Sequence, residues 1–102
     1  MSVDEAKIAR ELVVSNKLGL HARAATRLSQ VAAGFDAEIM LGSAQGAERQ
    51  VNCKSVLDIL SLGANAGERL ALSVQGPDAP QAAEAIETLF HEQFGETDDR
   101  EA

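Results

Sequence analysis

The chain predicts a two-layer α+β domain, a sheet with one wet face and helices packed on the other. Three observations carry that prediction. Short alternating segments occur in four places, and one-sided alternation implies a sheet buried on one face only. Three further segments space their apolar residues as amphipathic helices do. The patterns follow one another as strand, helix, strand, strand, helix, strand, helix, and 102 residues suit one such domain.

Each element follows from local residues. Ile8 to Val14 reads as a strand with Leu12 and Val14 on one face. Ala22 to Ala33 reads as a helix with Ala25, Leu28 and Ala32 as its stripe, and Gly34 suits the C′ position after it. From Phe35 to Leu41 the alternation is clean: Phe35, Ala37, Ile39 and Leu41 lie on one face, Asp36 and Glu38 on the other. "GSAQG", Gly42 to Gly46, reads as a turn. Ala47 to Cys53 is a weaker strand with Val51 and Cys53 in phase, so the pair forms a hairpin. In "KSVLDILSLG" Ser55 is a good N-cap, Asp58 three residues later suggests a capping box, and Gly63 ends the short helix. Glu68 to Val74 alternates again, with Leu70, Leu72 and Val74 inward. "GPDAP" turns the chain into a last helix, with Asp78 as N-cap and Pro80 in the first turn. Its stripe is Ala82, Ala83, Ile86, Leu89, Phe90 and Phe94. One domain is expected over residues 1–94. The acidic stretch "GETDDREA", residues 95–102, is expected to be a disordered tail.

Composition narrows the function. Hydrophobic residues make up 45%, tryptophan and tyrosine are absent, and there are three phenylalanines, so the core must be aliphatic. A domain of this size buries roughly 60–70% of its unfolded surface and needs no metal or disulfide to fold. The formal net charge of −7 argues against nucleic acid and anionic membrane as partners. The single cysteine, Cys53, cannot form an internal disulfide and fits a reducing compartment. No apolar run approaches the ~20 residues of a membrane span, so no membrane insertion is expected. "MSVDEAKIARE" lacks the apolar core of a signal peptide, and the cytoplasm is the expected location. Two histidines and one cysteine at wide spacing form no metal-ligand pattern, and no glycine-rich Walker loop is present, so neither metal nor cofactor is expected. Cys53 has the phase of an inert core residue. His91 falls off the last helix's stripe, on the surface near the helix end.

The chemistry concentrates in "NKLGLHARAATRL", Asn16 to Leu28. A helix beginning just after His21 leaves the N–H groups of its first turn without intrahelical partners, and they make an anion site. Arg23 adds a permanent charge with a fork of donors suited to phosphate. The positive helix end favours neutral imidazole, a nucleophile, and the small neighbours Gly19, Ala22, Ala24 and Ala25 leave it accessible. This setting suits a histidine that accepts a phosphoryl group. On spacing alone, a capping or surface histidine and a solvated Arg23 are the commoner case. Lys17, Arg23, Arg27 and Lys54 are candidates for positive charge around His21.

The same stretch resembles the active-site segment of the HPr family, the histidine-containing phosphocarriers of the bacterial phosphotransferase system. The family pattern is G-[LM]-H-[AT]-R-P-A, matched by Gly19, Leu20, His21, Ala22, Arg23 and Ala25, with Ala24 where proline is usual. The resemblance runs on through "GFDAEIML", "KSVLDILSLGA" and the final helix, from about Ile8 to Phe94. "NKLG" and "GFDAE" look like the nitrogen-related branch, and "KSVLDILSLG" looks as much like the sugar branch. The resemblance implies an open-faced sandwich of four antiparallel strands with three helices on one side. It also implies a monomeric carrier whose His21 takes a phosphoryl group at Nδ1 from phosphoenolpyruvate-dependent enzyme I and passes it to a IIA-type protein or domain. By residue match His21 is the acceptor and Arg23 its electrostatic partner. Alanine at position 24 gives up proline's fixed φ but remains a good helix former.

Ser55 falls where the family carries a serine that some bacteria phosphorylate with an HPr kinase/phosphorylase. Helix capping alone also explains the residue type. Val56, Leu57, Ile59, Leu60 and Leu62 cannot share one stripe on two helical turns. The short helix is therefore buried on several sides or partly exposed as a docking patch. Val56, Leu57 and Leu60 match the family's partner-contacting positions. The rival readings are a regulatory HPr-like protein that binds targets according to its phosphorylation state with little flux, and a small enzyme pairing His21 with Cys53. The second requires the two side chains within hydrogen-bond reach. A carrier supplies one nucleophile without an acid–base pair, so no enzymatic turnover of its own is expected.

Overall fold

The computed structural model describes residues 6–46 and 49–96. Strand β1 (Ala6–Val13) forms one edge of a four-stranded sheet, and four further elements, β2 (Glu38–Ser43), β3 (Gln50–Asn52), α2 (Val56–Leu62) and β4 (Arg69–Gly76), follow in chain order after helix α1 (Ala22–Ala33). All strand pairs are antiparallel, in the order β1-β4-β2-β3. The register aligns the aliphatic rows: Leu12 lies opposite Leu70, Ile8 opposite Val74, and Leu41 opposite Leu72. Because side chains alternate along a strand, these rows all point to the face that the helices cover. Arg10 shares that face at the sheet's margin, where its Nε reaches Glu87 of α3 (Ala79–His91) at 3.3 Å.

The core is aliphatic, as the composition predicts. Leu28, Ile39, Leu41, Ile59, Leu70, Leu72 and Ile86 are fully buried, and Phe90 and Phe94 meet edge to face with ring centroids 4.8 Å apart. Each such side chain contributes about 1.5–3 kcal/mol relative to exposure. The two helices nearest the candidate site run in opposite directions. Beyond the end of α2, Ala64 O accepts a hydrogen bond from Leu20 N–H at 3.1 Å, in the loop before α1. Just ahead of α2, Lys54 Nζ donates to Phe35 O at 2.8 Å, beyond the end of α1. The start of α2 therefore lies beside the end of α1, and the end of α2 beside its start.

The fold is the α+β open-faced sandwich expected. Several local readings need correction. Strand β2 runs to Ser43 and contains Gly42, where the sequence predicts the opening of a turn. A Cβ on Gly42 would stand 2.7 Å from Arg49 O, so this glycine serves close backbone approach within the hairpin. Of the second hairpin strand, Ala47 and Glu48 lie outside the described residues. Gly34 ends α1 with φ −78°, a right-handed value that any residue can adopt. Asp78 precedes α3 without capping it. Its carboxylate instead accepts from Asp36 N–H at 2.9 Å and Ala37 N–H at 2.8 Å, tying α3 to the start of β2. Helix α3 stops at His91, and Phe94 enters the core from a separate turn, Gln93–Gly95. Of the expected acidic tail, residues 97–102 lie outside the described residues. Gly95 and Glu96 are described, and Glu96 lies against the candidate site.

Candidate functional site

His21 is the N-cap of α1. Its backbone is extended (φ −79°, ψ −177°), and its carbonyl accepts the first helical bond from Ala25 N–H at 2.8 Å. The ring folds back over the helix start, so Nδ1 accepts from Arg23 N–H at 3.2 Å. This is the side-chain cap that the sequence position allows, made here by imidazole nitrogen instead of hydroxyl oxygen. The N–H of Ala24 makes no hydrogen bond among the described residues. Alanine in place of proline therefore removes nothing from the helix ladder, and α1 still begins at Ala22.

The loop that presents His21 is wound around a buried amide. Asn16 is fully buried; its Nδ2 donates to Gly19 O at 2.8 Å and to Glu96 Oε1 at 3.1 Å. Its Oδ1 has no partner among the described residues. Gly19 takes φ +71°, and a Cβ there would stand 2.8 Å from Ala64 O. This is the one place in the loop where glycine is required on both counts.

The ring's other nitrogen faces the far end of the chain. His21 Nε2 lies 2.5 Å from Glu96 Oε2. Glu96 follows the turn Gln93–Gly95, in which Gln93 and Phe94 have φ +57° and Gly95 has φ +77°. Phe94 O accepts from Arg27 of α1, which fastens the turn beside the helix. Ser15 Oγ donates to Phe90 O at 3.2 Å and holds the end of α3 to the loop as well. Glu96 carries no signal in the sequence that assigns it to the site, and Asn16, although it opens the His21 stretch, carries none that pairs it with Glu96. Glu96 stands in an acidic run that reads as solvated, and Asn16 is 80 residues away from it in the chain.

The Arg23 side chain is exposed and has no hydrogen-bond partner among the described residues. Arg27 lies beside this end of α1 with its guanidinium bonded to Phe94 O, whereas Lys54 is held at the opposite end of α1 from His21 and does not join the positive charge expected there. Ser55 caps α2: its Oγ accepts from Asp58 N–H at 3.2 Å. The reciprocal half of a capping box is not made, since Ser55 N–H donates to Asn52 O. On α2 Ile59 is buried, Val56 and Leu62 are half-buried, and Leu57 is 78% exposed, with Leu60 also exposed. Leu18, in the loop before His21, is 70% exposed. Cys53 is fully buried, and burial pushes its thiol up to about 12, so it is neither exposed nor ionised as a nucleophile must be. His91 is exposed at the end of α3. Among the described residues no helix is long and apolar enough to cross a membrane.

This α+β chain, with His21 capping α1 through Nδ1, matches known proteins along nearly its whole length. The family model described as "PTS HPr component phosphorylation site" matches residues 8–92. A phosphocarrier protein HPr from Cupriavidus necator is 39% identical over 87 residues, 85% of this chain and 94% of that one. A phosphocarrier protein NPr from Shewanella violacea is 43% identical over 90 residues, 88% and 96% of the two chains. The crystal structure of HPr-C-His from Thermoanaerobacter tengcongensis superposes with a TM-score of 0.77 at 35% identity, covering 93% of this chain and 99% of that one. The chain belongs to the HPr family of phosphotransferase-system phosphocarriers.

Proposed function

We propose that the protein accepts a phosphoryl group from phosphoenolpyruvate-dependent enzyme I on His21 Nδ1 and passes it to a IIA-type protein or domain. The observation that carries this reading is the placement of Nδ1 against Arg23 N–H at the start of α1. The lone pair of Nδ1 attacks phosphorus, the bond from phosphorus to the donor's carrying atom breaks, and that electron pair stays with the donor. The phosphoryl oxygens then replace Nδ1 as the acceptor for Arg23 N–H, and the helix end favours their charge. The exposed Arg23 guanidinium is long enough to fold over the same oxygens. Transfer to the IIA acceptor is the reverse sequence on a new nucleophile, with the imidazole as leaving group.

Both partners must approach His21 closely. Leu18 supplies exposed apolar surface in the loop before it, and α2, joined to that loop through Leu20 and Ala64, presents Leu57 and Leu60 with half-buried Val56 beside them. Their burial against a partner is the docking contact in this reading. The work is cytoplasmic, where enzyme I and phosphoenolpyruvate act. Relatives named HPr and NPr match at near-equal identity, and in this reading the carrier serves sugar uptake or nitrogen-related regulation.

The test is intact mass after incubation with enzyme I and phosphoenolpyruvate. The parent should gain one acid-labile, base-stable phosphoryl group and His21→Ala none. Arg23→Ala should fold and charge at least ~tenfold more slowly, because charge-assisted hydrogen bonds are worth ~1.5–3 kcal/mol. A phosphorylated His21→Ala protein would overturn the assignment, and an unchanged rate for Arg23→Ala would leave Arg23 as a surface charge.

A further inference from the structure

We infer that Glu96 is a positioning residue for the transfer: it holds the ring proton of His21 on Nε2, leaving Nδ1 as the free lone pair. This rests on the carrier reading above. The geometry fixes the hydrogen-bond roles without reference to titration. Arg23 N–H is a donor, so Nδ1 must be the acceptor. The Glu96 carboxylate, when ionised, only accepts, so Nε2 must carry the proton it receives at 2.5 Å. The two contacts demand the same tautomer from opposite sides of the ring.

The surroundings show that Glu96 is placed there by the fold. Its second oxygen, Oε1, accepts from Asn16 Nδ2 at 3.1 Å, and Asn16 is fully buried. The Gln93–Gly95 turn that delivers it contains two consecutive non-glycine residues with positive φ. Such conformations persist only where neighbours over-determine them. Here the burial of Phe94 against Phe90 and the bond from Arg27 to Phe94 O do so. The charged groups that α1 and its leading loop bring near this end are Arg23, Arg27 and Lys17. Arg27 is bound to the backbone, and Glu96 is the carboxylate in contact with the ring.

The consequence appears in the outgoing step. When the Nδ1–P bond breaks, its electron pair stays on Nδ1. With the proton kept on Nε2 the ring departs as neutral imidazole; without it the ring would depart as imidazolate, a far poorer leaving group. Glu96 keeps that proton in place throughout and never touches phosphorus.

Glu96→Gln tests this. The glutamine retains a carbonyl oxygen for Asn16 Nδ2, so the turn keeps its anchor. Its amide group, directed at Nε2, is a donor and favours the opposite tautomer, which would set an Nδ1–H against Arg23 N–H. Two measurements decide the matter. The ring ¹⁵N spectrum of the unphosphorylated protein, taken above the range in which histidine titrates, should show one fully protonated Nε2 and one bare Nδ1 in the parent. In Glu96→Gln the two signals should move toward each other as the tautomers mix. Single-turnover transfer from the phosphorylated protein to a IIA acceptor should fall roughly tenfold to a hundredfold in the variant. Identical ring signals and an unchanged transfer rate in a folded variant would overturn the inference. A parent protein that enzyme I fails to charge would instead remove the carrier reading, and the ring spectra would still decide whether Glu96 sets the tautomer.

Discussion

Replacing Gly19 by alanine should destabilise the domain and misplace His21 together. Gly19 holds φ +71°, which costs a residue with a Cβ about 1–2 kcal/mol. The new methyl would also stand 2.8 Å from Ala64 O and 3.1 Å from Asn65 Cα. Both are backbone atoms, so relief requires the His21 loop to move away from the segment after α2. That movement stretches the 3.1 Å bond from Leu20 N–H to Ala64 O, worth about 1 kcal/mol. The sum is about 2–3 kcal/mol, which lowers Tm by roughly 8–20 °C for a domain of this size. Gly63→Ala is the matched control. Gly63 has φ +67° but nothing within 4 Å of its would-be Cβ, so it should lose the conformational part alone. Far-UV circular dichroism is the suitable assay, since the chain has no tryptophan or tyrosine for fluorescence. If Gly19→Ala melts no lower than Gly63→Ala, the contact with Ala64 does not constrain the loop and the argument fails.

Ser55→Asp should keep its melting temperature close to that of the parent, because aspartate also caps a helix, with Asp58 in the same turn offsetting part of the gain. It should nevertheless bind enzyme I more weakly by titration calorimetry, as a charge at the edge of Val56, Leu57 and Leu60 is costly to desolvate. Ser55 lies a helix length, ~10 Å, from the end of α2 that borders the His21 loop, so the penalty belongs to docking and equal affinities would leave Ser55 as a cap only. For Cys53, burial raises the folded thiol above its ordinary 9.0 to about 12. The unfolded chain then loses this proton first, so stability should fall as pH rises from about 9 toward 12, and native Cys53 should resist thiol reagents until the domain opens. Rapid labelling of the folded protein would contradict its placement in the core.

The elements legible in the sequence were those whose own residues determine them. Helix α1 matches its predicted span because the stripe Ala25, Leu28 and Ala32 and the breaker after it are all local. The Ser55 cap and the left-handed Gly63 after α2 were visible for the same reason. Local residues mislead where a distant partner decides. Gly42 looks like a turn residue until Arg49 O is seen against it. Asp78 has the position of an N-cap, but two backbone N–H groups more than 40 residues away claim its carboxylate. Phe94 continues the apolar spacing of α3, and its burial is achieved by a left-handed turn that no spacing announces. Within the candidate site, His21 and Arg23 were legible because helix start and phosphate chemistry share one short motif. Glu96 and Asn16 were not, because their roles exist only once the two ends of the chain meet.

The strand order has a bearing on synthesis. Strand β4 pairs with both β1 and β2, yet it follows them in the chain by dozens of residues. Until β4 emerges from the ribosome, β1 has no neighbour and the β2–β3 hairpin is open on the β2 side as well as at its β3 edge. Unpaired strand edges of this kind are templates for association with other chains. Any nascent chain cut short before Arg69 would carry His21, α1 and α2 on strands lacking β4, one of the sheet's two inner strands. Such a fragment should aggregate instead of folding, and a chaperone that shields strand edges would be of most use during that interval.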